Sequence, residues 1–258
     1  MERRSFLKKS ALATGAAMTA GSLKANTSPI VEKDIYELRV YHLKSGGSRN
    51  QLKKFYTEAV IPFLNEKGAR VGAFNEYSKE DPPVMYILHA HRSLAAYFEA
   101  VQGMRSDASF LKAANDYLNL PADNPVFERY ETFLLEAFDG IPRLKEPAKN
   151  RGLFELRTYE SYNEDAGIRK VKMFNDEELP LFDKVGLHSV FFGQHLAGQY
   201  MPALTYMLWF NDMEEREANW AKFIGSPEWD VMKNKPEYAN SVSKVKKKFL
   251  TPADFSQL

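Results

Sequence analysis

The sequence predicts an α+β fold built from two tandem ferredoxin-like βαββαβ repeats, and three observations predict it. First, Ile35-Tyr36-Glu37-Leu38-Arg39-Val40-Tyr41 and Leu153-Phe154-Glu155-Leu156-Arg157-Thr158-Tyr159 share one pattern, apolar, aromatic, Glu, Leu, Arg, any residue, Tyr, at an offset of 118 (153 − 35). Second, the offset persists through Ile61-Pro62 and Leu179-Pro180, Gly68 and Gly186, and Phe74 and Phe192, which reads as an internal duplication. Third, each copy alternates period-two segments with segments of helical spacing in the same order.

Ahead of the repeats, Met1-Glu2-Arg3-Arg4-Ser5-Phe6-Leu7-Lys8-Lys9 and the weakly apolar run 10–22, with a small residue at Ala25, have the layout of a twin-arginine signal peptide over 1–25. The expected location is the periplasm, or export by the same route. No other stretch approaches the roughly 20 apolar residues of a membrane span. The chain has no cysteine, which excludes disulfides, thiolate metal sites and cysteine nucleophiles. Of the 35 basic and 34 acidic residues, five basic and one acidic fall within 1–25. The remaining 30 and 33 give a formal charge of −3, which argues against nucleic-acid partners.

A polar segment, 26–33, leads into repeat 1 at 34–138. Tyr36, Leu38 and Val40 alternate with Glu37, Arg39 and Tyr41, a strand pattern. Ser45-Gly46-Gly47-Ser48 is a turn. Leu52, Phe55, Ala59, Val60, Phe63 and Leu64 then fall on one face of a helix over 50–67. Pro62 lies inside that helix, as Pro180 does in the second copy, and should shift its hydrogen bonding; Gly68 suits its end. Strands follow at 71–77 and 84–91, helices at 93–102 and 107–118, and a long alternating strand at 127–138. Gly140, Pro142 and Pro147 among charges mark a linker at 139–151. Repeat 2, at 152–258, runs through a strand at 153–159, a helix at 165–185, strands at 189–195 and 204–210, helices at 212–223 and 227–235, and a strand at 242–250. Aligning Tyr86 with Tyr206 implies an offset of 120 (206 − 86), hence a two-residue insertion at the turn between the second and third strands.

The chain resembles the NIPSNAP family. The residues that carry the likeness are Tyr36-Glu37-Leu38-Arg39 with Tyr41, Phe154-Glu155-Leu156-Arg157-Thr158-Tyr159, Leu179-Pro180 with Gly186, Trp220-Ala221-Lys222-Phe223, Ser226-Pro227-Glu228-Trp229, and Phe249-Leu250-Thr251-Pro252. The second copy fits better than the first. The resemblance implies a dimeric α+β barrel whose two halves are supplied by one chain. Proteins of that fold include cofactor-free monooxygenases, isomerases and haem enzymes, so fold alone does not select an activity.

In such a barrel the apolar set Tyr36, Leu38, Val40, Phe154 and Leu156 should meet the helices. Glu37, Arg39, Tyr41, Glu155, Arg157 and Tyr159 should then face the barrel interior. Two readings follow. In one, repeated Glu-Arg pairs fix the interface between halves. In the other, Arg39 or Arg157 binds an anionic group while Glu37, Tyr41, Glu155 or Tyr159 transfers a proton. His89 and His91 share one strand face, with Trp209 and Asn211 as their expected counterparts. A metal would need a third ligand that no His-rich motif supplies, so none is expected, and His89 is the better candidate for a general base. Tyr86 and Tyr206 sit at equivalent third-strand positions and are further ligand candidates, although core packing is their default. His195 is placed at a cavity mouth, and His42 on the helix side of its strand. Trp220, Phe223 and Trp229 have the helical spacing of core residues, and the run Lys244, Lys246, Lys247, Lys248 reads as a solvated strand edge.

No phosphate-binding loop, dinucleotide fingerprint, nucleophile elbow or zinc-peptidase motif is present, and no cofactor is expected. The expected role is binding of a small ligand or a partner through the barrel, with homo-oligomerisation open. The alternative is a cofactor-independent oxygenase, isomerase or lyase.

Overall fold

The structure is a computed structural model and describes residues 32–258 apart from 46, 80 and 150. The signal expected at 1–25 lies outside the described residues. The first half consists of β1 (Ile35–Leu43), α1 (Ser48–Phe55), α2 (Ile61–Glu66), β2 (Arg70–Glu76), β3 (Val84–His91), α3 (Leu94–Ser106), α4 (Ala108–Ala113), α5 (Asn115–Leu118) and β4 (Phe127–Ala137). The second consists of β5 (Leu153–Glu160), α6 (Glu164–Met173), α7 (Leu179–Val185), β6 (His188–Ala197), β7 (Ala203–Phe210), α8 (Met213–Ile224), α9 (Pro227–Lys233) and β8 (Lys244–Pro252).

Among the described residues the strands close into one antiparallel barrel in the order β1-β3-β2-β8-β5-β7-β6-β4. Each half contributes four adjacent strands, β4-β1-β3-β2 and β8-β5-β7-β6, the ferredoxin-like arrangement. The halves join at two short seams. β2 meets β8 only through Phe74, Asn75 and Glu76 opposite Pro252, Thr251 and Leu250, and β4 meets β6 only over residues 134–137.

Local chemistry sets the helices. Ser93, Asn163, Asp212 and Ser226 each accept a backbone N–H at a helix start. A π-helical turn separates α1 from α2 (Tyr56–Val60) and α6 from α7 (Phe174–Glu178). Pro62 and Pro180 cause it: each lacks the N–H that would continue the ladder, so the residue before it bonds five positions back, Ile61 to Tyr56 and Leu179 to Phe174. Gly186 ends α7 with φ +81°, a conformation that favours glycine.

The core has three parts. One lies under the helices of the first half around Leu52, Tyr56, Phe63 and Ile87. A second lies under those of the second half around Phe174, Phe182, Phe192 and Tyr206. The third fills the barrel with Tyr36, Leu38, Val40, Phe74, Phe154 and Leu156. The sequence expectation for the faces is therefore inverted: the apolar set points inward, and Glu37, Arg39, Tyr41, Glu155, Arg157 and Tyr159 lie on the helix side. An eight-stranded lumen is narrow enough to be filled largely by side chains, so strands such as β1 and β3 are buried on both faces. Alternation separates two faces without saying which is inside.

Strand register corrects the correspondence between the halves. β1 pairs Leu38 with Leu88, and β5 pairs Leu156 with Met207, which sets the third strands 119 apart (207 − 88). The added residue is a bulge in β6 between Ser189 and Phe191, not an insertion at the following turn. Tyr86 thus corresponds to Thr205 and faces the lumen, whereas Tyr206 corresponds to Ile87 and faces the helices. His89 and His91 correspond to Leu208 and Phe210. Phe74 and Phe192, one inside and one outside, are not counterparts.

Candidate functional site at the open end of the barrel

At one end the lumen is closed by aromatic packing. Tyr36 lies 4.8 Å from Phe191 and Phe74 4.8 Å from Phe154, measured between ring centroids. Leu258 completes this plug beside Gly72, where a Cβ would stand 2.8 Å from the leucine side chain. Toward the other end the inward residues become smaller or polar, including Val40, Val84, Thr158 and Thr205, and both seams have ended. Lys244 to Leu250 of β8 pair with β5, but in the ladder only Leu250, Thr251 and Pro252 pair with β2. The result is a cavity of about 630 Å³ with walls from Leu38, Val40, Tyr86, Phe133 and Leu156.

Three polar groups converge on this cavity. Glu76, at the end of β2, accepts hydrogen bonds on Oε1 from the Tyr86 hydroxyl at 3.3 Å and from Lys248 Nζ at 2.7 Å. Its Oε2 is buried without a partner. Thr158 and Thr205 share a 2.7 Å hydroxyl hydrogen bond across β5 and β7, and Thr205 Oγ1 lies 2.8 Å from His195 Nε2. Burial pushes the His195 imidazole down to about 4, so it is neutral at ordinary pH. At the rim His42 Nε2 meets Glu131 at 2.8 Å, Lys246 pairs with Glu160, and the Lys246 ammonium sits 3.4 Å over the Tyr200 ring. The lysine run therefore occupies a part of β8 with β5 on one side, and two of its members turn to acids around the cavity.

The other sequence-selected residues form two networks beneath the helices. In the first half Arg39 donates from Nε to Glu37 Oε1 at 2.9 Å and from Nη2 to Oε2 at 3.0 Å. Its Nη1 reaches the Tyr41 hydroxyl at 3.3 Å, which lies 3.1 Å from that of Tyr56. His89 Nδ1 is 3.0 Å from Glu37 Oε2, and Thr132 donates to Oε1 at 3.3 Å. Burial pushes the Glu37 carboxyl up, but the His89 hydrogen bond and the Arg39 charge outweigh it and hold the group well below the usual carboxylate range. In the second half Glu155 accepts from Arg157 Nη1 at 2.7 Å, from Arg216 Nε at 2.9 Å and from Trp220 Nε1 at 2.8 Å. Arg157 also reaches Tyr159, whose hydroxyl is 2.9 Å from that of Tyr206.

The structure thus brings Glu37, Arg39, Tyr41 and His89 together, and likewise Glu155, Arg157, Tyr159 and Tyr206, but each set serves its own half and neither lines the cavity. Tyr86 does line it, and His195 stands one hydrogen bond behind its wall. His42, expected on the helix side, is at the mouth, because the whole face of β1 is inverted. Sequence reasoning missed Glu76, Lys248, Thr158 and Thr205. Their shared signal is polarity at lumen-facing positions near the seam ends, visible only once register is known.

Fold and cavity define a class, the α+β barrel of the dimeric ferredoxin-like type, here with both halves on one chain and a pocket at one end. Within it, residues 154–257 match the NIPSNAP family model. A candidate monooxygenase from Lactobacillus acidophilus NCFM superposes with a TM-score of 0.58 at 12% identity, covering 86% of this chain and 94% of its own. Another from Fusobacterium nucleatum subsp. nucleatum ATCC 25586 gives 0.57 at 10% identity, over 89% of this chain and 100% of its own. A NIPSNAP family protein with unknown function from Agrobacterium tumefaciens str. C58 is 20% identical over 44% of this chain and 99% of its own, with a TM-score of 0.39. No curated protein matches the chain in sequence. Among the described residues no helix is long and apolar enough to cross a membrane.

Proposed function

We propose that the whole chain is a NIPSNAP-like protein, arisen by internal duplication, that binds a small organic molecule in the open end of its barrel. The observation that carries this is the cavity itself. Its volume of about 630 Å³ lies within the range of small-molecule sites, and it joins apolar walls to a few convergent polar groups. The ligand that fits has an apolar or ring-bearing body and a hydroxyl or carboxyl group directed at Tyr86, Glu76 and Lys248.

The test uses the purified protein and 8-anilinonaphthalene-1-sulfonate as an apolar anionic probe. Val84 lines the mouth, so Val84→Trp should weaken saturable binding by at least about tenfold, or ~1.4 kcal/mol, at an unchanged melting temperature. Equal affinity in both proteins would place the probe elsewhere and remove the cavity from consideration.

A second reading, a cofactor-independent enzyme in the same cavity, rests on one observation. The neutral His195 imidazole reaches the wall through the Thr205 hydroxyl, a geometry suited to accepting a proton. The two candidate monooxygenases of this fold favour no substrate, since identities of 12% and 10% speak to fold alone.

Export through the twin-arginine route belongs to the same proposal and rests on Arg3, Arg4 and the run behind them. Arg3→Lys combined with Arg4→Lys should retain the protein in the cytoplasm of a bacterial host. Unchanged periplasmic recovery on fractionation would refute it.

A further inference from the structure

The pairing register sets a carboxylate opposite the first of two strand histidines. His89 and His91 are two residues apart on β3 and share its helix-facing side, and Glu37 of β1 is the cross-strand partner of His89. One ligating atom from each of Glu37, His89 and His91 lies within 4.8 Å of the others, and all three residues are buried. The imidazoles are under-used. His89 Nδ1 meets Glu37, while His89 Nε2 and both ring nitrogens of His91 are buried without a partner. Buried polar atoms nearly always find one, so three orphans in a single spot call for an occupant. The surroundings are aromatic: the His91 ring lies 6.1 Å from that of His89 and 5.4 Å from Tyr97, and His89 lies 5.7 Å from Tyr56.

We infer that His89 and His91, beside the Glu37 carboxylate, bind one divalent transition-metal ion of the zinc or iron(II) kind. The free imidazole nitrogens of His89 and His91 suit these borderline cations, whereas calcium and magnesium want an all-oxygen shell. The His89–Glu37 contact is the arrangement by which a carboxylate orients a metal-binding histidine. Glu37 is also held by Arg39 through both oxygens and by Thr132. Arg39 therefore opposes the ion by charge, and the site is weaker than its donor set alone would make it. The second half has no equivalent, since Leu208 and Phe210 occupy the corresponding positions.

The test is titration of the chelator-stripped full chain with Zn²⁺ by calorimetry and with Co²⁺ by visible absorption. One ion per chain, a cobalt ligand-field band and a melting temperature that rises with Zn²⁺ are expected. His91→Phe, which keeps an apolar ring in place, and His89→Gln should each weaken binding by at least about 100-fold, and Arg39→Gln should tighten it. Circular dichroism on the stripped variants verifies that each is folded, and either histidine variant suffices. Absence of binding by the parent protein overturns the inference. So does parent-like affinity in a folded histidine variant, which would assign the ion to a half-buried pair such as His42 and Glu131.

Discussion

Glu37 and Glu155 occupy the same motif position and live in different company. Each is buried and paired with the arginine two residues on, a pairing the motif itself announces because both side chains share one strand face. Beyond that the two sites part. Glu155 has a second guanidinium from Arg216 and the Trp220 indole, whereas among the described residues Glu37 has His89 and Thr132 to add. Truncating Arg39 takes the guanidinium away from a buried carboxylate, a loss of about 3–5 kcal/mol. Truncating Arg157 leaves Glu155 still paired. Chemical denaturation should accordingly rank Arg39→Ala as more destabilising than Arg157→Ala, and the reverse order would show that the helix-borne partners of Glu155 contribute nothing. Those partners were illegible in the sequence, for Arg216 and Trp220 approach from α8, some sixty positions after the motif, and no local pattern records it.

Elements were read well where a local cause exists and poorly where the cause is non-local. The prolines foretold altered hydrogen bonding in the first helix of each half, and the π turns deliver it. The bulge in β6 left no mark in composition, yet it rotates every later residue of that strand to the opposite face. It is the reason His195 points inward to Thr205 on β7 and is 6% exposed. That strand pair should be acid-labile. The His195 imidazole titrates near 4 when folded and near 6.5 when unfolded. Between those values the unfolded chain takes up a proton that the folded one refuses. Stability contributed here is complete above pH about 6.5 and falls by up to about 3 kcal/mol as pH drops toward 4. Melting curves over that range should be steeper in pH for the parent protein than for His195→Gln, and parallel slopes would show that the imidazole is not the group responsible.

At the scale of the molecule, the repeated motif and the order of elements announce two ferredoxin-like halves, and the resemblance to the NIPSNAP family implies that they close into an α+β barrel. The cavity was not. Its existence depends on where the two seams stop pairing, and seam length is set by how far β4 and β8 reach across to the opposite half, a relation between segments more than fifty residues apart. The face inversion has a similar origin, because β1 and β3 are buried on both sides and so lose the contrast with water on which amphipathic patterns rely.

Housing both halves of the barrel on one polypeptide has a further consequence. In an assembly of two identical subunits related by a two-fold axis, every substitution appears twice, and a residue useful on one side must be tolerated on the other. Here each side varies alone. The first half can keep a histidine pair where the second keeps Leu208 and Phe210, and the second can bury Lys170 and Glu178 beneath its helices while the first stays apolar there with Leu52 and Val60. Broken symmetry gives the barrel two different flanks and a mouth whose rim is uneven in charge, which would select one orientation for the ligand proposed above.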